Sequence, residues 1–264
     1  MCARDLPRRR GAVRPSPVFL GFVALAAGGG WLAWRDSSPG SRLADLGVFL
    51  LVIGGWTVSL CVHEFCHAYV AYRAGDRDVE ARGYLTLNPL RYAHPLLSLA
   101  LPLLFVVQGG IGLPGGAVYL RRHAFRSRAA QSGAALAGPL SNAVFAAALL
   151  IAVRAGDASA HPRFWFGLAF LGFLQITATV LNLLPVPGLD GYAAIEPYLD
   201  APTTHAADRI KPWGLLAVIV LLQIQALNTA FFDVVYRLYD GLGVSRQYSE
   251  VGYALFRFWS KNPL

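Results

Sequence analysis

The sequence predicts an all-α, polytopic membrane protein of about five to six transmembrane helices. Three observations carry that prediction. The 264 residues are 55% hydrophobic and only 14% charged, with a mean hydropathy of +0.46, where a soluble domain carries about a quarter charged residues. The apolar residues fall in runs of about twenty, the length a helix needs to cross a bilayer. The 23 Lys and Arg behind the net charge of +8 cluster between those runs, as the positive-inside rule expects. No interleaving of basic and aromatic residues calls for a nucleic-acid partner.

Taken in order, residues 1–15 are a basic arm (Arg4, Arg8, Arg9, Arg10, Arg14), read as cytoplasmic. A first span follows at about 17–34, with Trp31 and Trp34 as interface anchors. No small-residue cleavage site follows it, so it reads as an uncleaved span rather than a signal peptide. A loop at 35–42, rich in Ser, Gly and Pro, leads to a second span at about 46–72. Residues 73–93 are a charged surface segment. The apolar run 94–112 is cut by Pro95 and Pro102 and ends in glycines, so it reads as re-entrant. Residues 114–120 read as a turn into a short strand, a β-hairpin-like stretch. Further spans are expected at about 129–153, 164–184 and 213–232. The division is thus a basic arm at 1–15, one transmembrane domain at 16–232 with its core at about 46–195, and a tail at 233–264. That tail is polar at first and interfacial at 251–259.

Within the second span lies Val62-His63-Glu64-Phe65-Cys66-His67. His63 and His67 are four apart, so on a helix they share one face and can hold one metal ion, with Glu64 beside the first. Two histidines and a glutamate are costly to bury in an apolar span, and an intramembrane ionisable residue points to function. Of the cysteines, Cys2, Cys61 and Cys66, none is spaced for a disulfide framework. Cys66 points away from the histidine face and reads as a small buried hydrophobe.

A hydrolytic zinc site needs three protein ligands and an open position. His94, His123, His161 and His205 fall at the edges of runs or in loops. Asp190 follows Pro185 and Pro187, which unwind a helix, and is flanked by Gly188 and Gly191. Irregular backbone at membrane depth is tolerated where it is buried in protein or lines a cavity. Alone, Asp190 reads equally as an interface aspartate; beside a metal pair lacking its third ligand it is the favoured choice.

These motifs have a known counterpart. His-Glu-x-x-His at 63–67, Gly-Pro-x-x-Asn at 138–142 and Asn-x-x-Pro-x-Pro-x-Leu-Asp-Gly at 182–191, in that order, resemble the site-2 protease family of intramembrane zinc metalloproteases. The resemblance covers about residues 46–195. It implies one Zn2+ per chain, held by His63, His67 and Asp190, with Glu64 as the catalytic acid/base. It places Asn142 and Asn182 near the site, either contacting substrate or bonding between helices. It likens the stretch at Gly115, Gly116 and Val118 to a strand near the active site that could pair with an unwound substrate. The expected partners are the bilayer and a transmembrane protein or peptide substrate, cut within or near the membrane. No room is left for a PDZ or nucleotide-sensing domain.

For His63, His67 and Asp190 to meet, their spans must run parallel, with an odd number of crossings between them. That requires 94–112 not to cross fully. With the N-terminus and the active-site end cytoplasmic in a multi-pass cell-membrane protein, fifteen Lys and Arg fall inside and eight outside, in the sense of the positive-inside rule. Two rival readings stand beside this one. A ZIP-type zinc transporter would need a second His/Asp-bearing span or a His-rich loop, and the chain has neither. A non-catalytic scaffold of the same fold would be betrayed by lost metal ligands, and none is lost.

Overall fold

The computed structural model describes residues 13–36, 38, 40–91 and 124–260. The predicted re-entrant run at 94–112 and the strand at 114–120 with Gly115 and Gly116 lie outside the described residues, as do His94, His123 and most of the basic arm. Among the described residues the secondary structure is helical, with no strand.

Among the described residues, four helices are long and apolar enough to cross a membrane. They are α1 (Pro17–Arg35), α2 (Arg42–Ala74), α4 (Arg128–Ala155) and α5 (Pro162–Asn182), with the short α3 (Asp78–Ala81) between α2 and the undescribed segment. Their starts are written locally. Ser16, Ser41 and Ser127 each cap a helix by accepting a backbone N–H three residues on, at 3.1–3.2 Å. Pro17 and Pro162 sit in first turns, where the missing N–H costs nothing. α2 stops at Gly75, whose φ of +127° suits glycine.

α2 and α5 form the centre. Two thirds of the apolar window of each is buried, against 17% for α1 and 33% for α4. They run parallel, which three contacts along their length establish. Arg163 meets Asp45 at 2.9 Å near their N-termini, and Gln175 donates to Ser59 Oγ at 2.8 Å midway. In the C-terminal half of α2, His63 and His67 meet Asp190, which lies just past the end of α5. α1 lies antiparallel on α2 in backbone-to-backbone contact. A Cβ on Gly47 would fall 2.7 Å from Ala33 N, and one on Gly54 2.7 Å from Ala26 N. Such small-residue contacts let helices pack where no hydrophobic drive separates protein from lipid.

One expectation is corrected beyond α5. The span expected at 213–232 is broken: α7 (Ala201–Ile210) and α8 (Gly214–Leu221) form one arm, and α9 (Gln225–Gly241) leaves it at 96°. Polar residues make the break, with the Asn228 side chain bonding to Leu222 O at 3.1 Å and Gln223 to Ile219 O at 3.2 Å. Four spans are therefore described, or five if the bent pair counts as one. Part of the segment read as a polar, then interfacial, tail packs on the core. Val235 and Tyr239 of α9 and Phe256 of α10 (Arg246–Phe256) are buried, and Phe256 stacks near Phe49 and Phe170. α10 is amphipathic, as an interfacial helix would be, but its apolar face finds protein.

Candidate metal centre

The centre is assembled from three elements. α2 supplies His63 and His67 one turn apart, both buried, as is the intervening Glu64. α6 (Asp190–Ile195) supplies Asp190 as its first residue. Between α5 and α6 the chain is unwound at Pro185 and Pro187 and turns at Gly188, with φ +102°. A Cβ on Gly191 would collide with Leu183 O, so the chain folds back closely on itself. That fold-back aims Asp190 at the histidines rather than at solvent.

The donor atoms converge. His63 Nε2 and His67 Nε2 are 3.0 Å apart, and Asp190 Oδ2 is 3.2 Å from the first and 3.3 Å from the second. A tetrahedral ion bonded at about 2.0–2.1 Å spaces its ligand atoms by about 3.3 Å, so the three donors fit one small cation. The side chains of His63 and His67 are 6% and 7% exposed, while that of Asp190 is 24% exposed; the cluster opens on the aspartate side. His67 Nδ1–H donates to Ala134 O at 2.7 Å, so that in the neutral ring Nε2 is the lone-pair nitrogen, turned to the cluster. His63 Nδ1 is buried without a hydrogen-bond partner among the described residues.

α4 closes the third side. Gly138 faces the imidazoles so closely that a Cβ there would lie 2.6 Å from His63 Nε2 and nearer still to His67 Nε2. Pro139, inside the same helix, offers no N–H to the carbonyl of Ala135 and crowds it, beside the Ala134 carbonyl that His67 uses. Asn142, one turn beyond Gly138, is buried with its Oδ1 unpartnered among the described residues, and Asn182 is buried at the end of α5. The remaining described histidines belong elsewhere. His161 bonds to Trp34 O and stacks on that ring at the far end of the bundle, and His205 is exposed on α7. Cys66 is half-buried and outside the cluster.

No family model matches the chain, and no solved structure matches it. Curated relatives do. The protein named "Putative zinc metalloprotease Rip2" in Mycolicibacterium smegmatis is 55% identical over 251 residues, covering 95% of this chain and 96% of the relative. The Mycobacterium tuberculosis H37Rv protein of the same name is 52% identical over 252 residues, with 96% and 97% covered. "Putative zinc metalloprotease YwhC" of Bacillus subtilis is 31% identical over 171 residues, 62% of this chain and 76% of the relative. This chain belongs to the site-2 protease family.

In a site-2 protease zinc is the expected metal, and the donor set of His63, His67 and Asp190 suits it. The relatives and the apolar helices together support a membrane metalloprotease. Two features of this site-2 protease were not predicted from the sequence as parts of the site. Gly138 was visible as the first residue of the Gly-Pro-x-x-Asn motif, but its role is steric and depends on what α4 faces. The anchoring of α6 by Ser132, whose hydroxyl donates to Ala194 O at 2.6 Å, has no local signature at all.

Proposed function

We propose that this chain is an intramembrane zinc metalloprotease that hydrolyses peptide bonds within or near transmembrane segments of membrane-protein substrates. The observation that carries the reading is the convergence of His63, His67 and Asp190, with Glu64 adjoining, on one point inside apolar helices. His63, His67 and Asp190 are the residues that would hold zinc. When bound, zinc lowers the pKa of a water in its open position to about 7 and polarises a carbonyl oxygen.

The chain's own residues then have separable tasks. Glu64 takes a proton from the attacking water and delivers it to the leaving amine nitrogen, so that water adds across the C–N bond and no covalent intermediate is needed. Ala134 O holds the His67 ring through Nδ1. Gly138 lets α4 close on the two imidazoles, where any side chain would press on both Nε2 atoms. The unwound chain at 185–189 supplies polar backbone, a suitable lining for water at that depth. Asn142 and Asn182 are the substrate-side candidates, and Gly115 and Gly116 the edge that would pair with an unwound helix. In the cell the protein is a multi-pass membrane protein, with the N-terminus and this end of the bundle on the cytoplasmic side.

The test is zinc content by elemental analysis together with cleavage of a transmembrane reporter by the purified chain. Wild type and Glu64→Gln should hold about one zinc per chain, with cleavage by Glu64→Gln reduced about 10²–10⁴-fold. Asp190→Ala should lose both zinc and cleavage. A zinc-replete Asp190→Ala protein would sink the ligand assignment, and full cleavage by Glu64→Gln would sink the proton-transfer role.

A further inference from the structure

The residue that completes the metal cluster stands on a helix too short to aim itself. α6 has six residues, well below the length at which a helix holds its own conformation. The direction of Asp190 is therefore set by whatever grips the chain on either side of it. One residue, Lys211, grips both sides. Its ammonium pairs with the carboxylate of Glu196, immediately after α6, and lies 5.5 Å from the centre of the Tyr192 ring. Glu196 is buried, with a side chain only 5% exposed, and a second carboxylate, Asp208, approaches the same ammonium at 2.7 Å.

The backbone of the same segment closes on the stretch before Asp190. A Cβ on Gly188 would collide with Lys211 O, and one on Gly214 with Pro187 O. The two strands of chain thus touch main chain to main chain, with Gly188 in the left-handed region, where only glycine is at ease. Asp190 is bracketed by contacts to Lys211 at positions 188, 192 and 196.

We propose that Lys211, acting through Glu196, is a positioning residue for Asp190: the pair clamps α6 so that the carboxylate meets the two imidazoles. The proposal rests on Asp190 being a zinc ligand. Removing the lysine leaves a carboxylate buried without this cation, which pulls Glu196 toward water and turns the helix that carries Asp190. Groups that orient metal ligands typically change metal affinity 10–100-fold when lost.

The experiment follows zinc transfer from the purified full-length chain, in detergent micelles, to a chromophoric chelator. Lys211→Met should release zinc about tenfold faster than wild type. Lys211→Arg should restore most of the difference, and Lys211→Met/Glu196→Gln should release zinc more slowly than Lys211→Met alone, because no buried charge is stranded. Arg163→Met, which breaks an ion pair at the far end of the bundle, controls for general loosening and should accelerate release far less than Lys211→Met does. If Lys211→Met fails to fold, Glu196→Asp serves in its place; it keeps the charge, shortens the arm and should speed release several-fold. Wild-type release from Lys211→Met, or from Glu196→Asp where that variant is used, overturns the clamp, and so does equal acceleration by Arg163→Met. Zinc held normally by Asp190→Ala overturns the metal reading itself, a different result from either.

Discussion

Asp45 and Arg163 form an ion pair at 2.9 Å at the opposite end of α2 and α5 from the metal donors. Asp45 lies eighteen residues before His63, about 27 Å along a helix. The two central helices are therefore tied ionically at one end and through His63, His67 and Asp190 at the other. That double tie fixes them side by side and in register.

Arg163→Met should destabilise the protein by about 3–5 kcal/mol, since both side chains are largely buried and Asp45 would be left unpaired. The double variant Asp45→Asn/Arg163→Met should regain most of the loss. Thermal unfolding in detergent reads both values. Equal destabilisation by the single and double variants would mean that the pair does not act as a pair.

Gly138→Ala should weaken zinc binding by at least about tenfold, because its methyl would occupy the space against His63 Nε2 and His67 Nε2. α4 itself should survive, alanine being the better helix former. Elemental analysis after dialysis against a weak chelator measures the loss, and circular dichroism checks the helix. Stoichiometric zinc in Gly138→Ala would show that α4 stands further from the imidazoles than described.

Gly47→Ala should push α1 away from α2, where Ala33 N and Gly29 O lie 2.7 Å and 2.8 Å from the added carbon. Overpacking of this kind costs about 1–3 kcal/mol. Zinc should stay bound, because α1 contributes no donor to the cluster. A variant of unchanged melting temperature would contradict the backbone contact.

Ser41→Ala removes two things at once. Ser41 caps α2 by accepting from Ala44 N, a contribution of about 1 kcal/mol that does not depend on pH. Its hydroxyl also donates to Asp36 in the loop before α2, and that bond, with a smaller contribution from Ser38, lowers the Asp36 carboxyl from 3.8 to about 2. A carboxyl lowered in the folded state stabilises it above the unfolded value, and that stabilisation fades as pH falls through the folded one. The gap in stability between wild type and Ser41→Ala should therefore narrow between about pH 4 and pH 2. NMR titration of Asp36 in the variant should show its pKa returning toward 3.8.

Where the sequence could be read, local chemistry and apolar length agreed. α1, α2, α4 and α5 each pair a long apolar run with a capping serine or an initial proline, and each lies within four residues of its expected bounds. The bend at 222–224 was hidden because the whole stretch is apolar on average, and two scattered amides, Gln223 and Asn228, bond to the backbone around it. The burial of Phe256 was hidden because an amphipathic helix shows that it has an apolar face, not what the face meets. His63 and His67 announced themselves by spacing, and Asp190 by the prolines that unwind the chain before it. Gly138 and Lys211 did not, since a missing side chain and a contact fifteen residues away have meaning only in three dimensions.

His63 and Asp190 are 127 positions apart, and that separation has a consequence for biogenesis. As the chain leaves the ribosome, α2 enters the membrane with two imidazoles and a carboxylate and without the third donor. α4 and α5 must be inserted before Asp190 exists to meet them. On the proposed ligand assignment zinc capture is a late step of maturation, and the nascent helix must pass through the insertion machinery carrying polar groups that the finished bundle satisfies. Chains stalled before α6 emerges should take up no zinc, while completed chains should.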